Sequence, residues 1–171
     1  KKKAHFINWA VACKQATRLV NHSTIKQLLQ QSDVKTVWYF FWGKGMVEVL
    51  PFVTVQAKKN IVVKLHGYDL YEERSNGYFP FRELLLEKTD TILPISQNGV
   101  NYLKAKYPQI SNKIMLNRLG TQSIGSLSKP SSDGVFRVVS CSSLIELKRV
   151  HLMIEALPYI KVPIQWFHIG D

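Results

Sequence analysis

The 171-residue sequence predicts an α/β protein made of two doubly wound parallel sheets. Three observations predict this fold class. Short apolar runs alternate with stretches of helical periodicity, small or polar residues follow each apolar run, and a serine-rich segment at 121–134 divides the alternation in two. Parallel strands need crossover connections, so a chain that alternates in this way favours sheets with helices on their faces.

The first part of the chain predicts one long helix, or two in series, over residues 5–31. Apolar residues recur there at three- and four-residue spacing, and Asn21-His22-Ser23 predicts a break with Ser23 capping a second helix. Lysine and glutamine fill the other positions, which would also suit an amphipathic helix on a membrane surface. A domain helix packed on a sheet is the favoured interpretation.

Strands are predicted next at 36–42, 61–66, 91–95 and 113–119, and helices at 46–57, 79–88 and 96–107. Residues 36–42 are apolar on both faces, as is typical of a parallel strand covered on both sides. Gly43-Lys44-Gly45 lacks the spacing of a phosphate loop and is interpreted as a tight strand-to-helix turn. Residues 67–78 are predicted to form a polar loop, Pro80 to lie in the first turn of its helix, and Ser96 to cap the next one.

Residues 121–134 are rich in serine, glycine and proline, the composition of a linker. The alternation then restarts with a strand at 135–141, a helix at 148–157 and a strand at 163–169. We therefore predict a first domain at 1–120, a linker at 121–134 and the start of a second domain at 135–171. The first begins with a helix and the second has two strands, so we expect both domains to be incomplete parts of a longer protein.

The charge of the chain is strongly and unevenly basic. The formal net charge is +11, and residues 1–134 hold 19 Lys+Arg against 9 Asp+Glu, a net of +10. This charge indicates an anionic partner, such as a membrane surface, a phosphorylated substrate or nucleic acid. The alternative is that the basic residues form a solvated surface that keeps the protein soluble. Cys13 and Cys141 have no metal-site spacing and are expected to be free thiols of a reducing cytosol. We expect neither a transmembrane helix nor a signal peptide.

Polar or small residues follow each predicted strand at its carboxyl end. His66 and Gly67 follow the apolar run 61–65, and other such residues are Ser96, Gly120, Ser142, Ser143, Gly170 and Asp171. Open α/β sheets bind ligands outside the carboxyl ends of their strands. We therefore predict that His66 lines a crevice and that the two sheets present such edges to one cleft.

Six stretches carry a resemblance to a known family. They are HGYDLYEER (66–74), the Pro-Phe-Arg helix start (80–82), PIS (94–96), Tyr107-Pro108, RLGT (118–121) and SCSSLIELKRVHLMIEAL (140–157). In this order and spacing the chain, from Trp38 to Asp171, resembles glycosyltransferase family 4, which has two Rossmann-like domains in the GT-B arrangement. It is similar to bacterial enzymes of surface-polysaccharide assembly.

The resemblance implies transfer of a sugar, with retention, from a nucleotide-sugar donor to a saccharide or lipid-linked acceptor. It implies no metal and no other cofactor, and no DxD metal motif occurs in the sequence. It also implies a cytoplasmic enzyme with no nucleic-acid partner. The resemblance is compatible with peripheral attachment of this enzyme to the inner face of the cell membrane. The family's paired donor-binding glutamates would lie beyond Asp171, so we expect these 171 residues to be inactive without them.

On the acceptor side, the resemblance matches His66 to the family's cleft histidine, near the transferring sugar. A neutral imidazole there can hydrogen-bond the sugar or a backbone carbonyl. Gly67 would let the backbone approach closely. Tyr68, Asp69 and Arg74 would lie on the acceptor side, although Asp69 suits a turn cap as well, and Arg74 suits a solvated charge run.

On the donor side, Lys148 matches the family lysine that neutralises the donor diphosphate. A fixed cation helps most as negative charge builds on that leaving group. Ser143 stands where many members have an arginine, and Arg149 would compensate for the missing charge. Gly170 resembles the start of the family's next glycine motif.

Two further interpretations stay open. One is a basic α/β binding module for an anionic membrane or nucleic acid, which a steep salt dependence of binding would support. The other is a nucleotide-sugar epimerase of the GT-B shape, which the linker and Lys148 would also suit.

Overall fold

The computed structural model describes residues 2–30, 36–53, 60–123 and 125–171. The chain divides into two compact units, Lys1–Gly120 and Thr121–Asp171. The predicted α/β class is confirmed, because both units contain parallel sheets accompanied by helices. The assignment of an acceptor-side and a donor-side domain stays a prediction.

The first unit is built on three parallel strands in the order β1-β2-β3. They are β1 (Val37–Phe40), β2 (Asn60–Leu65) and β3 (Thr91–Pro94). The central strand pairs Val63 with Phe40 on one side and Leu65 with Pro94 on the other. Val63 and Leu65 are fully buried, as is Ile92 of β3, so the apolar run before His66 forms the middle of the core.

The α-helices of this unit are α1 (Lys2–Asn21), α2 (Ser23–Gln30), α3 (Gly67–Leu70), α4 (Arg82–Lys88) and α5 (Gln97–Lys106). The predicted break is confirmed at His22, but the predicted capping role of Ser23 is wrong, because Ser23 is the first residue of α2 and His22 precedes the helix. Helix α1 buries Ala12 and Ala16 and packs against a 3-10 helix, Met46–Phe52, because two small side chains let the helices approach closely. The predicted capping role of Ser96 is also confirmed, since its Oγ accepts from the Gly99 amide at 3.1 Å.

Several predicted boundaries of the strands are wrong. The strand predicted at 36–42 ends at Phe40, and Val37 and Tyr39 are about half exposed rather than covered. The strand predicted at 113–119 forms one bridge, between Ile114 and Ile92. Amides of the next residues still donate to β3 carbonyls, but 3-10 helix Pro108–Lys113 occupies the start of the predicted strand.

Three predicted helices or loops also differ. The helix predicted at 46–57 is the 3-10 helix Met46–Phe52, which starts after Gly45 at φ 81°; residues 54–59 lie outside the described residues. The helix predicted from 79 starts at Arg82, because Phe81 has a left-handed φ of 56°, so Pro80 precedes it. The loop predicted at 67–78 contains α3 and a 3-10 helix, Glu72–Ser75.

The second unit has a parallel pair of strands, β4 (Phe136–Cys141) and β5 (Ile164–Ile169), with α6 (Val150–Ala156) between them in the chain. The prediction that Lys148 opens this helix is wrong. Lys148 ends a 3-10 turn, Glu146–Lys148, and Arg149 then takes a left-handed φ of 52° before α6 begins. A last 3-10 turn, Leu157–Tyr159, follows α6.

Candidate functional site

The carboxylate of Asp69 joins the turns that follow β1 and β2. Its Oδ2 accepts from the Gly43 amide at 2.6 Å and its Oδ1 accepts from the His66 amide at 2.7 Å. The Asp69 side chain is completely buried. Because both oxygens are bound by backbone amides, the geometry favours a positioning role for Asp69 over the predicted contact with acceptor hydroxyls, which stays untested.

His66 lies directly after β2, between two aromatic rings. Its ring centroid is 4.7 Å from that of Phe41 and 4.3 Å from that of Trp42. The ring is nine-tenths buried, and its side chain lies in the capping position of α3, facing the backbone amide of Asp69. Within the part of the chain that the structure describes, neither ring nitrogen completes a full hydrogen bond. Nδ1 lies 3.9 Å from Oδ1 of Asp69, too far for a hydrogen bond. Both nitrogens are closed off from solvent, and His66 is not among the residues that line the neighbouring cavity, so the predicted position of His66 in the wall of a crevice is not confirmed.

A cavity of about 470 Å³ opens beside this turn, between α1 and the ends of β1 and β2. Two aromatic side chains, Trp42 and Tyr68, lie along it, and Lys44 places its Nζ 5.1 Å from the Tyr68 ring centroid. Glu48 forms part of the wall, and its burial raises the pKa of its carboxyl group. The lining residues are Asn8, Val11, Ala12, Gln15, Trp42, Lys44, Gly45, Glu48, Tyr68, Asp69 and Pro80.

Behind the turn lies a buried guanidinium, that of Arg82. Its Nη2 donates to the backbone carbonyl of Asp69, and its Cζ lies 4.2 Å from the Phe79 ring centroid. Burial lowers the pKa of Arg82, while the charges of Asp69 and Glu72 act in the opposite direction. Arg82 therefore places a positive charge beside the buried Asp69 carboxylate. Its Nε and Nη1 have no partner among the described residues.

The structure brings Gly67 and Arg74 together next to His66. A methyl group on Gly67 would lie 2.6 Å from Nη1 of Arg74, so glycine leaves the space in which this guanidinium rests. Arg74 is otherwise exposed, and Tyr68 is 60% exposed, so both can reach a ligand. The four predicted acceptor-side residues thus lie in α3 and in the 3-10 helix that follows it, and their roles stay predictions.

In the second unit, the ends of β4 and β5 pack closely together. Gly170 has a φ of 133°, and a methyl group there would lie 2.1 Å from the carbonyl oxygen of Ser142. The Leu144 amide donates to the Asp171 carbonyl at 2.9 Å, which fixes the segment carrying Ser143 beside Gly170.

The cationic residues of the predicted donor site follow in the same segment. Lys148 and Arg149 are both exposed, between the 3-10 turn and α6. Ser143 and Gly170 are exposed as well, so all four predicted donor-side residues are accessible in this unit. Their contact with a diphosphate stays a prediction.

Sequence reasoning missed the aromatic and cationic surroundings of His66. The sequence predicts Phe41 and Trp42 at the end of a buried strand and assigns Arg82 no role beyond the helix start at 80–82. The two glycines after Trp42 are the sequence signal that could have revealed these contacts. They end the strand early, and Trp42 can then pack over the end of the next strand.

Within the described ranges, no group of three or more His, Cys, Asp or Glu side chains is arranged to hold a metal ion. None of the helices described there is both long and apolar enough to cross a bilayer.

No family model and no curated protein matches this chain. A solved structure with a similar fold is that of accessory secretory protein 1, 2 and 3 from Streptococcus pneumoniae, with a TM-score of 0.53 and 10% identity. The match covers 85% of this chain and 28% of the other, so the chain spans less than a third of that protein's length. At this identity the similarity shows the fold, an α/β arrangement compatible with part of a Rossmann-like, GT-B-type protein.

Proposed function

We propose that the chain is part of a retaining, metal-independent glycosyltransferase that acts in cell-surface polysaccharide synthesis. The observation that carries the proposal is the cavity at the carboxyl end of the central strand, which Trp42 and Tyr68 line and against which the His66 ring packs through Trp42. Ligands of open α/β sheets bind at this edge.

The composition of the cavity suits a saccharide. Aromatic faces at Trp42 and Tyr68 can cover the C–H faces of a sugar ring, while Asn8, Gln15 and Glu48 can hydrogen-bond hydroxyl groups. A volume of about 470 Å³ accommodates one or two sugar rings. The acceptor would bind here.

His66 would act on the reacting groups without forming a covalent bond. In a neutral imidazole one nitrogen donates and the other accepts, so the ring can hydrogen-bond the transferring sugar or the acceptor once Trp42 moves aside to admit it. Because Asp69 fixes the His66 backbone, little reorganisation of the histidine itself accompanies the reaction.

The donor would bind to the second unit. As the bond between the anomeric carbon and the diphosphate breaks, negative charge collects on the departing phosphate, and the acceptor hydroxyl loses its proton to a phosphate oxygen. Lys148 and Arg149 are the cations that would neutralise this charge, and Ser143 would donate one hydrogen bond to it.

Release of nucleoside diphosphate by the protein at its natural length tests this proposal. UDP-glucose, UDP-N-acetylglucosamine and GDP-mannose are the donors, with EDTA present and the sugar product analysed. We expect turnover of at least one donor, and we expect His66→Ala and Lys148→Ala each to lower kcat/KM about 100-fold.

Two exposed residues provide matched controls, His22→Ala and Lys161→Ala, which should leave kcat/KM within twofold. Equal turnover by His66→Ala and the parent protein would contradict the proposal. A nucleotide-sugar released with inverted ring stereochemistry, instead of a transferred sugar, would indicate the epimerase.

A further inference from the structure

A chain of side-chain hydrogen bonds joins β4 and β5 in the second unit and ends at the segment that follows β4. Trp166 Nε1 donates to Ser140 Oγ at 2.9 Å, and Ser140 Oγ lies 2.8 Å from Nδ1 of His168. His168 Nε2 lies 2.9 Å from the carbonyl oxygen of Ser142. Ser140 and His168 are direct partners in the ladder of the two strands, so their side chains share one face of the sheet. We name these four residues the His168 chain.

The direction of each hydrogen bond in the His168 chain follows from the groups at its two ends. A carbonyl oxygen can only accept, so Nε2 of His168 carries a proton and donates to Ser142. The indole nitrogen of Trp166 can only donate, so Ser140 Oγ accepts from it. The Ser140 hydroxyl then donates to Nδ1, the accepting nitrogen of the neutral imidazole. The imidazole therefore has one fixed tautomer and one fixed orientation.

The end of the His168 chain fixes the backbone where β4 stops. The Ser142 amide still donates to a β5 carbonyl, while the Ser142 carbonyl accepts from the His168 imidazole. Two residues later the Leu144 amide donates to the Asp171 carbonyl at 2.9 Å. Ser143 thus lies between two anchored residues, and its own side chain is exposed. The direction of that side chain depends on both anchors.

Catalysis by Ser140 fits these contacts less well. A hydroxyl beside an oriented imidazole is the arrangement of a serine nucleophile and its base. Such a nucleophile also needs backbone amides that bind the oxyanion formed in the reaction. Ser140 is half-buried inside β4, and the Ser142 amide already donates to the Ile169 carbonyl. A positioning role for the imidazole uses every hydrogen bond of the chain.

We propose that His168 is a positioning residue of the donor site, where it binds the Ser142 carbonyl and so sets the direction in which Ser143 meets the donor diphosphate. This inference rests on the proposed function, in which the second unit binds the donor. His168 acts through the backbone of Ser142 and does not touch the diphosphate. A binding group that is oriented before the ligand arrives loses less freedom on binding, so the affinity for the ligand is higher.

Two substitutions of His168 isolate its hydrogen bond to Ser142. Glutamine reaches about as far as Nε2 and keeps an N–H donor for the carbonyl, whereas asparagine ends near the position of Nδ1 and leaves the carbonyl unbound. Isothermal titration calorimetry of the protein at its natural length, with UDP and GDP as the probes, measures the dissociation constants. We expect His168→Asn to raise the dissociation constant about tenfold and His168→Gln to stay within about threefold of the parent protein.

Arg137→Ala is the matched control for a loss of stability in the same sheet. Arg137 joins β4 to β5 near the opposite ends of the strands, where its Nε donates to Gln165 Oε1 at 3.1 Å. Urea unfolding followed by Trp166 fluorescence compares the stability of all three variants. Arg137→Ala should bind the nucleotides within about twofold of the parent protein, whatever its stability.

Backbone amide NMR of the 171-residue chain tests the positioning without a ligand. We expect the amide signals of Ser143 and Leu144 to shift in His168→Asn and to return towards their parental positions in His168→Gln. Signals that stay fixed in His168→Asn would overturn the inference.

The binding measurements separate this inference from the proposed function. Equal affinity of the parent protein and His168→Asn for a nucleotide that the parent binds would overturn the inference and leave the proposed function standing. An equal loss of affinity in Arg137→Ala would also overturn it, because the effect would then follow the stability of the sheet. Failure of the parent protein to bind either nucleotide would contradict the proposed function, and the inference with it.

Discussion

Asp69 is the residue on which the geometry of the candidate site depends most. A fully buried carboxylate is stable only when its oxygens are bound and its charge is balanced. The amides of Gly43 and His66 bind the two oxygens, and the Arg82 guanidinium supplies nearby positive charge. Because the two amides come from turns after different strands, this one side chain sets the position of His66 relative to Trp42.

Asp69→Asn should therefore lower the free energy of unfolding by about 3 kcal/mol. The amide nitrogen of asparagine cannot accept from a backbone N–H, and Arg82 loses its neighbouring negative charge. Urea unfolding followed by tryptophan fluorescence measures the effect.

Asp90→Asn is the matched control, since the exposed Asp90 also accepts from a backbone amide, that of Ile61, at 2.8 Å. Asp90→Asn should lower the free energy of unfolding by less than about 1 kcal/mol. Equal losses for the two variants would mean that Asp69 does not hold the turns together.

Glu48 makes stability depend on pH. Burial in the cavity wall raises the pKa of its carboxyl group above the ordinary value near 4.5, against the opposing effects of the Gly45 backbone, Lys44 and Arg82. The folded state therefore holds this proton more tightly than the unfolded chain does. Its stabilising contribution is complete below pH 4.5 and is lost as the pH rises through the raised pKa.

We accordingly expect Glu48→Gln to reduce the fall in unfolding free energy between about pH 4 and pH 7, measured by urea unfolding at each pH. The exposed Glu87 provides the control, and Glu87→Gln should leave the slope unchanged. If Glu48→Gln keeps the pH dependence of the parent protein's unfolding free energy, then Glu48 is not the source of that dependence.

At the scale of elements, the close contact between the ends of β4 and β5 requires glycine. Gly170→Ala would place a methyl group 2.1 Å from the Ser142 carbonyl oxygen, at a φ of 133° that other residues avoid. We expect this variant to lower the free energy of unfolding by at least about 2 kcal/mol, as measured by Trp166 fluorescence during urea unfolding.

Gly120→Ala is the control, because a methyl group there meets nothing within 4 Å. This control variant should change the free energy of unfolding by no more than about 0.5 kcal/mol. Parental stability of Gly170→Ala would show that the two strand ends do not pack as described.

The strands could be predicted where local pattern and tertiary packing agree. The apolar run 61–65 is a strand because its side chains fill the core, and Ser96 caps α5 because its hydroxyl satisfies a helix-end amide locally. Prediction failed where a distant contact decides the structure. The strand predicted at 36–42 stops at Phe40: the glycines after Trp42 permit the turn, and the bond from the Gly43 amide to Asp69, 26 residues away, fixes it.

The same distinction explains what could be predicted of the site. The sequence identifies His66 and Gly67 as candidate site residues because they directly follow a predicted strand. The contacts of Trp42 and Arg82 were not, because both reach the turn from other parts of the chain through contacts that no local spacing encodes.

At the scale of the whole molecule, the residues proposed to bind ligands lie at strand ends in each of the two units. The described sheets are parallel, so in each sheet the polar residues after neighbouring strands collect at one edge. In the first unit this edge carries the cavity, the aromatic pair and the His66 imidazole packed between the two rings, and that combination is the central claim.

Nitrogen NMR of the His66 imidazole tests this claim most directly. The 171-residue chain, with ¹⁵N-labelled histidine, is titrated with methyl α-glucoside, methyl α-mannoside and methyl N-acetyl-β-glucosaminide, and His66→Ala assigns the signals. We predict that at least one saccharide shifts both ring nitrogens of His66, and that Trp42→Ala abolishes the shift while His22→Ala preserves it. Ring-nitrogen signals that stay fixed with every saccharide would contradict the account.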